Sequence, residues 1–144
     1  MPRAQSFANH AKVVPAYHMG AFGIFVINLV WSLYRVATQF SGETVMGALL
    51  AIAFLLLFFY ARVFALTVQD RVIRLEMRLR LAKALPTDLQ PRVNDLTVAQ
   101  LVALRFAGDD EIVELTRKVL AGNLQNRKEI KKMVKNWQGD YVRA

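Results

Sequence analysis

The chain has 144 residues, 55% of them hydrophobic, and its 19 lysines and arginines against 11 acidic residues give a formal net charge of +8. Because the apolar residues lie in two blocks and the charges lie elsewhere, the composition excludes one ordinary soluble domain and predicts a membrane part joined to a basic cytoplasmic part. The sequence contains no cysteine, which excludes disulfides, thiolate metal sites and cysteine nucleophiles. The positive charge favours an anionic partner, first of all acidic lipid headgroups.

The first predicted membrane span covers residues 15–38 and follows a cytoplasmic arm at residues 1–14. Its sequence PAYHMGAFGIFVINLVWSLY lacks Asp, Glu, Lys and Arg and is just long enough to cross a bilayer. Trp31, Tyr34 and Arg35 close the span, and aromatic rings beside a cation are typical of the headgroup boundary. A cleaved signal peptide is the alternative, but the apolar region is longer than a usual signal core and no clean cleavage site follows it.

The second span follows a short non-cytoplasmic connector at residues 39–44 and belongs to one long helix over residues 45–85. This helix starts with the unbroken apolar run VMGALLAIAFLLLFFYA and contains neither Pro nor Gly after Gly47. At about 1.5 Å per residue it is roughly 60 Å long, about twice the thickness of a bilayer's hydrocarbon core. The helix is therefore predicted to span the membrane and to continue as a cytoplasmic stalk, with Arg62 at the membrane interface.

The distribution of lysine and arginine predicts the orientation of the two spans. Cations precede the first span and follow the second, whereas the connector region offers only Arg35, opposed by Glu43. The positive-inside rule places both termini in the cytoplasm. Two spans joined by so few residues are expected to form an antiparallel helical hairpin.

Four small residues are the candidate positions for close approach of the two spans: Gly20, Gly23, Gly47 and Ala51. Asn28 lies near the middle of the first span, where an unpaired amide is costly. We expect it to bond to a backbone carbonyl or to a neighbouring helix.

The stalk carries an apolar seam with the spacing of a coiled coil. Its members recur at alternating steps of four and three residues: Val68, Val72, Leu75, Leu79 and Ala82. Two heptads are too short for a stable coiled coil alone, so we expect the seam to pack on the C-terminal segment or on a partner. Intrahelical ion pairs of Asp70 with Arg74 and of Glu76 with Arg80 are expected beside it.

Residues 86–144 are predicted to form a small cytoplasmic helical domain, which makes the fold class all-α. The first of its three short helices begins at Thr97, whose hydroxyl forms a capping box with Gln100. The second begins near Asp109, where acidic residues complement the positive end of the helix dipole. The third begins at Asn126 and is expected to run through RKEIKKMVKNW. So few residues need docking onto the stalk, the membrane or another subunit to complete a core.

The third helix is predicted to be basic and amphipathic. Four lysines share one face: Lys128, Lys131, Lys132 and Lys135. Trp137 lies on the opposite face, and such a helix either lies on anionic lipid or packs on protein with its lysines outward, which is favoured. Arg71 and Arg78 on the stalk remain for lipid phosphates, although a plain topology signal explains them equally well. Nucleic acid is not expected as a partner, because no motif or aromatic platform supports it.

No pattern of catalytic residues is present in the sequence, so an enzyme is not expected. There is no G-x-S-x-G around any serine, no phosphate-binding glycine loop and no EF-hand. Neither a metal nor a cofactor is expected. The one minor alternative is His18, at the cytoplasmic mouth of the first span, as an axial ligand of haem or of a chlorophyll-type pigment. The acidic run at residues 109–111 would bind a divalent ion only weakly, and helix capping explains it with fewer assumptions.

Three segments resemble a family of small, uncharacterised bacterial inner-membrane proteins: ALTVQDRVIRLEMRLRLAKALP, LTVAQLVALRFAGDDEIVEL and IKKMVKNWQGDYVR. The likeness covers most of the chain and is most specific in VQDRVIRLE and LVALRFA. It implies a bacterial source, the inner membrane and two spans, and it brings no activity, cofactor or catalytic residue.

The sequence therefore predicts a non-catalytic accessory or structural subunit of a larger membrane complex, with other membrane protein subunits and anionic lipids as partners. Respiratory and photosynthetic complexes are suggested only by association, since small accessory chains are common there. The alternative is a membrane tether whose basic helices bind anionic lipid or an acidic soluble protein.

Overall fold

The computed structural model describes residues 5–10 and 13–141, and in this part of the chain the regular structure is helical. One isolated antiparallel bridge joins Ala107 and Trp137. A π-helical segment at Ala16–Ala21 leads into the first helix, and a 3₁₀ segment at Gln90–Asp95 follows the second. The five α-helices are α1 (Phe22–Thr38), α2 (Gly42–Ala84), α3 (Val98–Leu104), α4 (Ile112–Ala121) and α5 (Arg127–Met133). The expectation of an all-helical fold with two long apolar helices is confirmed.

Two compact units divide the described residues. One comprises residues 13–66, and the other comprises residues 5–10 together with residues 67–141. The division lies inside α2, so this helix contributes to both units. The N-terminal segment, predicted as a separate arm, belongs to the unit that holds the C-terminal helices.

In the unit of residues 13–66, α1 and α2 contact each other through aromatic rings. Tyr17 stacks on Phe58 with ring centroids 4.3 Å apart, and its hydroxyl donates to the Phe58 carbonyl at 2.7 Å. Phe25 stacks on Phe54 at 5.7 Å. Ala51 is buried beside them on α2, with 1% of its surface exposed. Large rings and small side chains therefore share the contact between the two helices.

The second helix begins three residues earlier than predicted, at Gly42. The Ser41 hydroxyl accepts the Thr44 N–H at 3.2 Å, and the Thr44 hydroxyl accepts the Ser41 N–H at 3.0 Å. This reciprocal pair satisfies backbone donors that have no partner inside the helix. The apolar run that guided the prediction starts only after this cap.

In the other unit, α2 presents one apolar stripe to the C-terminal helices. Its residues are buried and recur every four positions: Ile73, Met77, Leu81 and Leu85. They form one core with side chains of α3, α4 and α5, among them Leu101, Ile112 and Ile130. The seam predicted to pack on this segment or on a partner does not pack on this segment and is exposed: Val68 60%, Val72 48%, Leu75 62% and Leu79 58%. At about 100° per residue the two stripes lie on nearly opposite sides of the helix.

Local capping signals located two of the three short helices well. The predicted capping box forms, since the Thr97 hydroxyl accepts the Gln100 N–H and the Gln100 side chain accepts the Thr97 N–H. Asn126 caps α5 by accepting the Lys128 N–H at 2.9 Å. The second helix, by contrast, begins at Ile112 rather than near Asp109.

The intrahelical ion pairs predicted on the stalk do not form among the described residues. Asp70 pairs with Arg127 of α5 at 3.2 Å, and Arg80 pairs with Asp109 at 2.6 Å. Both partners come from the domain that packs on α2. The sequence spacing was right for a helix, but tertiary partners compete for the same side chains.

We predict that Leu81→Ala lowers the free energy of unfolding of the C-terminal unit by about 2 to 5 kcal/mol, because the side chain is fully buried. Arg74→Ala is the control, a truncation to the same residue at an exposed position of the same helix, with an expected effect within about 0.5 kcal/mol. Hydrogen exchange in dilute detergent, followed over a series of urea concentrations, measures the free energy of unfolding of both variants. Equal losses would contradict the assignment of the buried stripe.

Candidate functional site

The acidic run at residues 109–111 connects segments rather than capping α4. Asp109 accepts hydrogen bonds from Arg80 Nε at 3.0 Å and Nη2 at 2.6 Å. Glu111 precedes α4 but makes no side-chain cap, and its carboxylate accepts the N–H groups of Lys135 and Asn136, each at 3.0 Å. The capping interpretation of this run is therefore wrong, because its oxygens serve α2 and the segment after α5.

The hydrogen bonds from the N–H groups of Lys135 and Asn136 to Glu111 end α5 earlier than expected. The helix stops at Met133. Beyond it, the Gly108 N–H donates to the Asn136 carbonyl at 2.9 Å, and the Gln138 N–H donates to the Phe106 carbonyl at 2.7 Å. A Cβ at Gly108 would lie 2.5 Å from an Asp110 carboxylate oxygen, so a larger residue there would displace the Asp110 side chain. The predicted helix through Trp137 is therefore wrong at its last turn.

An aromatic cluster holds the N-terminal segment against the C-terminal helices. We call it the His10 cluster, and it consists of His10, Phe106, Lys131 and Trp137. Phe106 is fully buried and stacks on Trp137 with ring centroids 4.5 Å apart. The His10 ring lies 5.6 Å from each of these rings. Trp137, predicted to contact lipid or a partner, is instead partly buried within this cluster.

Hydrogen bonds fix the tautomer of His10. Its Nδ1 lies 2.8 Å from the Phe7 carbonyl, which can only accept, and its Nε2 lies 3.0 Å from the Lys131 ammonium, which can only donate. These two partners suit the tautomer with its proton on Nδ1. The Lys131 ammonium also lies 4.9 Å above the Phe106 ring. Lys131 thus makes contacts inside its own unit, in contrast to the predicted lipid-facing role.

A glutamine side chain adds a second attachment of the same segment. Gln5 donates to the Asp140 carbonyl at 2.9 Å and accepts the Asp140 N–H at 3.0 Å. The Asp140 carboxylate in turn lies 3.2 Å from Arg105, whose side chain is 9% exposed. Sequence reasoning missed these contacts, since the paired residues lie far apart in the chain.

The remaining predicted lysines do not form one uniformly basic face. Lys128, Lys132 and Lys135 are exposed, but Lys135 lies beyond the end of α5. Lys132 and Lys135 line a cavity of about 330 Å³ together with two glutamates, Glu111 and Glu114. The hydrogen bond from Lys118 and its positive charge lower the pKa of Glu114. Acidic groups therefore alternate with the lysines on this surface.

In the second half of α2, Arg71 is exposed and Arg78 is half-buried. The Arg78 Nε is buried with no hydrogen-bond partner among the residues that the structure describes. Arg71 remains accessible to an external anion, whereas part of the Arg78 guanidinium is covered.

The predicted interface residues near the end of α1 are accessible. Trp31 and Tyr34 are exposed, with ring centroids 5.6 Å apart, and Arg35 is exposed beside them. Arg62 is half-buried on α2. The His18 Nδ1 lies 3.0 Å from the Val14 carbonyl in the preceding turn, so this ring nitrogen has a local contact. Within residues 5–10 and 13–141, no group of three or more His, Asp or Glu side chains could hold a metal ion.

The glycines predicted to mediate helix packing do not do so. A Cβ added at Gly20, Gly23 or Gly47 would meet no atom within 4 Å. Of the four predicted small residues, Ala51 alone is buried, and its neighbour Ala48 is buried as well. The pattern of small residues therefore located one position of the contact face and not the three glycines.

Asn28 differs most from expectation. Its side chain is exposed, and it makes no hydrogen bond with any described residue. It lies four residues after Ile24 and three before Trp31, both exposed, so it shares their face of α1. The expected bond to a backbone carbonyl or to the other helix of this chain is absent from the described structure.

No curated protein and no solved structure is significantly similar to this chain. One family model matches it over residues 1–144, and that family is described as a family of unknown function, DUF6526. The match covers every segment discussed above. The chain therefore belongs to the family of unknown function DUF6526.

Proposed function

We propose that the chain is a non-catalytic accessory or structural subunit of a larger protein complex in the bacterial inner membrane. In this proposal α1 and the first half of α2 form a transmembrane hairpin, and the rest of α2 is a cytoplasmic stalk. Both termini are cytoplasmic. Respiratory and photosynthetic complexes are the assemblies in which such small chains are common.

The observation that carries the proposal is the exposed amide of Asn28. The helical segment Ala16–Thr38 is long and apolar enough to cross a membrane, and Asn28 lies close to its middle. An amide in hydrocarbon without a hydrogen-bond partner costs about 4 to 8 kcal/mol on a cyclohexane scale. A polar group on a neighbouring span would remove this cost, and such interhelical bonds contribute about 0.6 to 2 kcal/mol.

The apolar surface of the two helices is compatible with this proposal but does not carry it. Almost none of the residues in the apolar stretch of either helix is fully buried by the rest of the described chain. Lipid tails can cover Ile24, Ile27 and Val30 as well as another protein can. They cannot satisfy an amide, which is why Asn28 favours a protein neighbour over lipid alone.

A membrane tether remains the second candidate function, favoured by the exposure of Lys128, Lys132 and Lys135. Each cation near an anionic surface contributes about 1 kcal/mol of attraction. Glu111 and Glu114 line the same cavity as two of these lysines and weaken the attraction. The mixed charge makes the tether the weaker of the two candidates.

We predict that Asn28→Leu weakens the association of the chain with its complex and lowers the co-migrating fraction. The change removes the amide at nearly constant shape, and a loss of about 1 kcal/mol lowers the association constant roughly fivefold. Extraction of native membranes in mild detergent, native gel separation and mass spectrometry measure the co-migrating fraction. Ile24→Leu, on the same face, is the control and should co-migrate as the unaltered chain does. An unaltered chain that migrates alone would refute the proposal.

The subunit and the tether differ in their response to charge removal. Replacing Lys128, Lys132 and Lys135 together by Gln should leave the co-migration of a subunit unchanged at low and high salt, because its membrane contacts persist. For a tether, the same variant should lose its salt-sensitive attachment, because surface charges are screened beyond a Debye length of about 10 Å. Protease accessibility of the C-terminal unit in vesicles, compared at both salt concentrations, reports this loss and would favour the tether.

A further inference from the structure

The stalk has two apolar faces, and the chain covers only one of them. Ile73, Met77 and Leu81 are buried by the C-terminal helices. We call the exposed face the free seam, and it consists of Val68, Val72, Leu75, Leu79 and Ala82. Each of these five residues is exposed. Contiguous apolar surface of this kind on a helix is typical of an interaction site.

Neither the chain's own helices nor lipid accounts for the free seam. The C-terminal unit occupies the opposite side of α2. If Arg62 marks the membrane boundary, Leu79 lies seventeen residues further along α2, about 25 Å away at 1.5 Å per residue. The headgroup layer on one side of a bilayer is only about 5 to 8 Å thick. Most of the seam therefore lies beyond the reach of lipid.

We propose that the free seam pairs with the same seam of a second copy of this chain, in a parallel two-stranded coiled coil. The spacing places Val72 and Leu79 at a positions and Val68, Leu75 and Ala82 at d positions. Val72 at a with Leu75 at d fits the pattern that favours two parallel strands, whereas Leu79 at a and Ala82 at d do not add to it. This inference goes beyond the proposed function and relies on its membrane placement in three ways. That placement sets the parallel direction, since both copies leave the membrane on the same side, keeps most of the seam away from lipid, and holds the two copies together.

Charges beside the seam indicate the register. In a parallel pair, a g residue of one strand meets the e residue five positions later on the other strand. Arg71 at g then faces Glu76 at e of the second copy, so two opposite-charge pairs form in register. Both side chains are exposed. Arg78 at g faces Lys83 at e one heptad later, and this like-charge pair weakens the dimer.

Anchoring in the membrane compensates for the short length of the seam. Two heptads are marginal as an isolated coiled coil in water. Two copies held side by side in one bilayer have a raised effective concentration, which converts a weak contact into an observable dimer. Repulsion between the like charges of Arg78 and Lys83 then limits the stability of the dimer, so the dimer is expected to be reversible.

Cysteine cross-linking tests the geometry, because the chain contains no native cysteine. Leu75→Cys at a d position is expected to cross-link to the second copy with a short bismaleimide, in the membrane fraction and with the full chain. Arg74→Cys is the matched control, one residue away, exposed, and turned from the seam. We expect at least fivefold more dimer at position 75 than at position 74. Equal cross-linking at both positions, or none at either, would overturn the proposal.

Two charge reversals test the register. Arg71→Glu and Lys83→Glu change the net charge by the same amount, and both residues are exposed. In the proposed register, Arg71→Glu places like charges opposite each other and Lys83→Glu creates opposite-charge pairs with Arg78. In the Leu75→Cys background, we expect the first to lower dimer formation roughly fivefold and the second to raise it by a similar factor. Changes in the same direction would reflect general charge repulsion and would refute the pairing.

The outcomes separate this inference from the proposed function. If the chain is absent from the membrane fraction or migrates alone after detergent extraction, the subunit proposal fails whatever the cross-linking shows. If it co-migrates with a complex but position 75 does not cross-link to itself, the homodimer fails and the subunit proposal stands. A seam that reacts instead with a different protein at position 75 also overturns the homodimer.

Discussion

The structure of the C-terminal unit depends on burying one apolar stripe of α2. The helices α3, α4 and α5 have only seven, ten and seven residues, too few to enclose a core by themselves. Ile73, Met77, Leu81 and Leu85 supply one side of that core. The ion pair of Arg80 with Asp109, and that of Arg127 with Asp70, then join the edges of this contact. A membrane-length helix thus becomes the scaffold of a small domain.

Burial of that stripe determines what remains for partners. The C-terminal unit covers only one side of α2, so the seam through Val72, Leu75 and Leu79 on the other side remains exposed. Asn28 is a comparable case on α1, where the described chain offers its amide no hydrogen bond. An exposed apolar seam is costly in water, and an unpaired amide is costly where the proposed membrane surrounds it. Together they favour a protein that is completed by association.

Local signals predicted part of this fold, and long-range competition decided the rest. The capping box of Thr97 with Gln100 could be predicted because all its atoms belong to adjacent turns. Periodicity detected the seam of α2 but not which stripe the chain itself covers, since spacing carries no information about the partner. The end of α5 depends on Glu111, more than twenty residues earlier, which takes the N–H groups of Lys135 and Asn136. The predicted face of four lysines is incomplete for the same reason, since Lys131 contacts His10 and Lys135 lies beyond the end of α5.

The net charge of +8 is a weak guide to partners, because many cations serve the fold. Arg80, Arg105 and Arg127 are paired with acids of their own unit, and Lys131 lies against His10 and an aromatic ring. Charges that remain exposed, such as Arg71, attract any anionic surface without selecting one. Selection requires shape and unsatisfied groups, which the seam and the amide provide. In the proposed dimer the apolar seam makes the contact favourable, and the pairing of Arg71 with Glu76 favours its register.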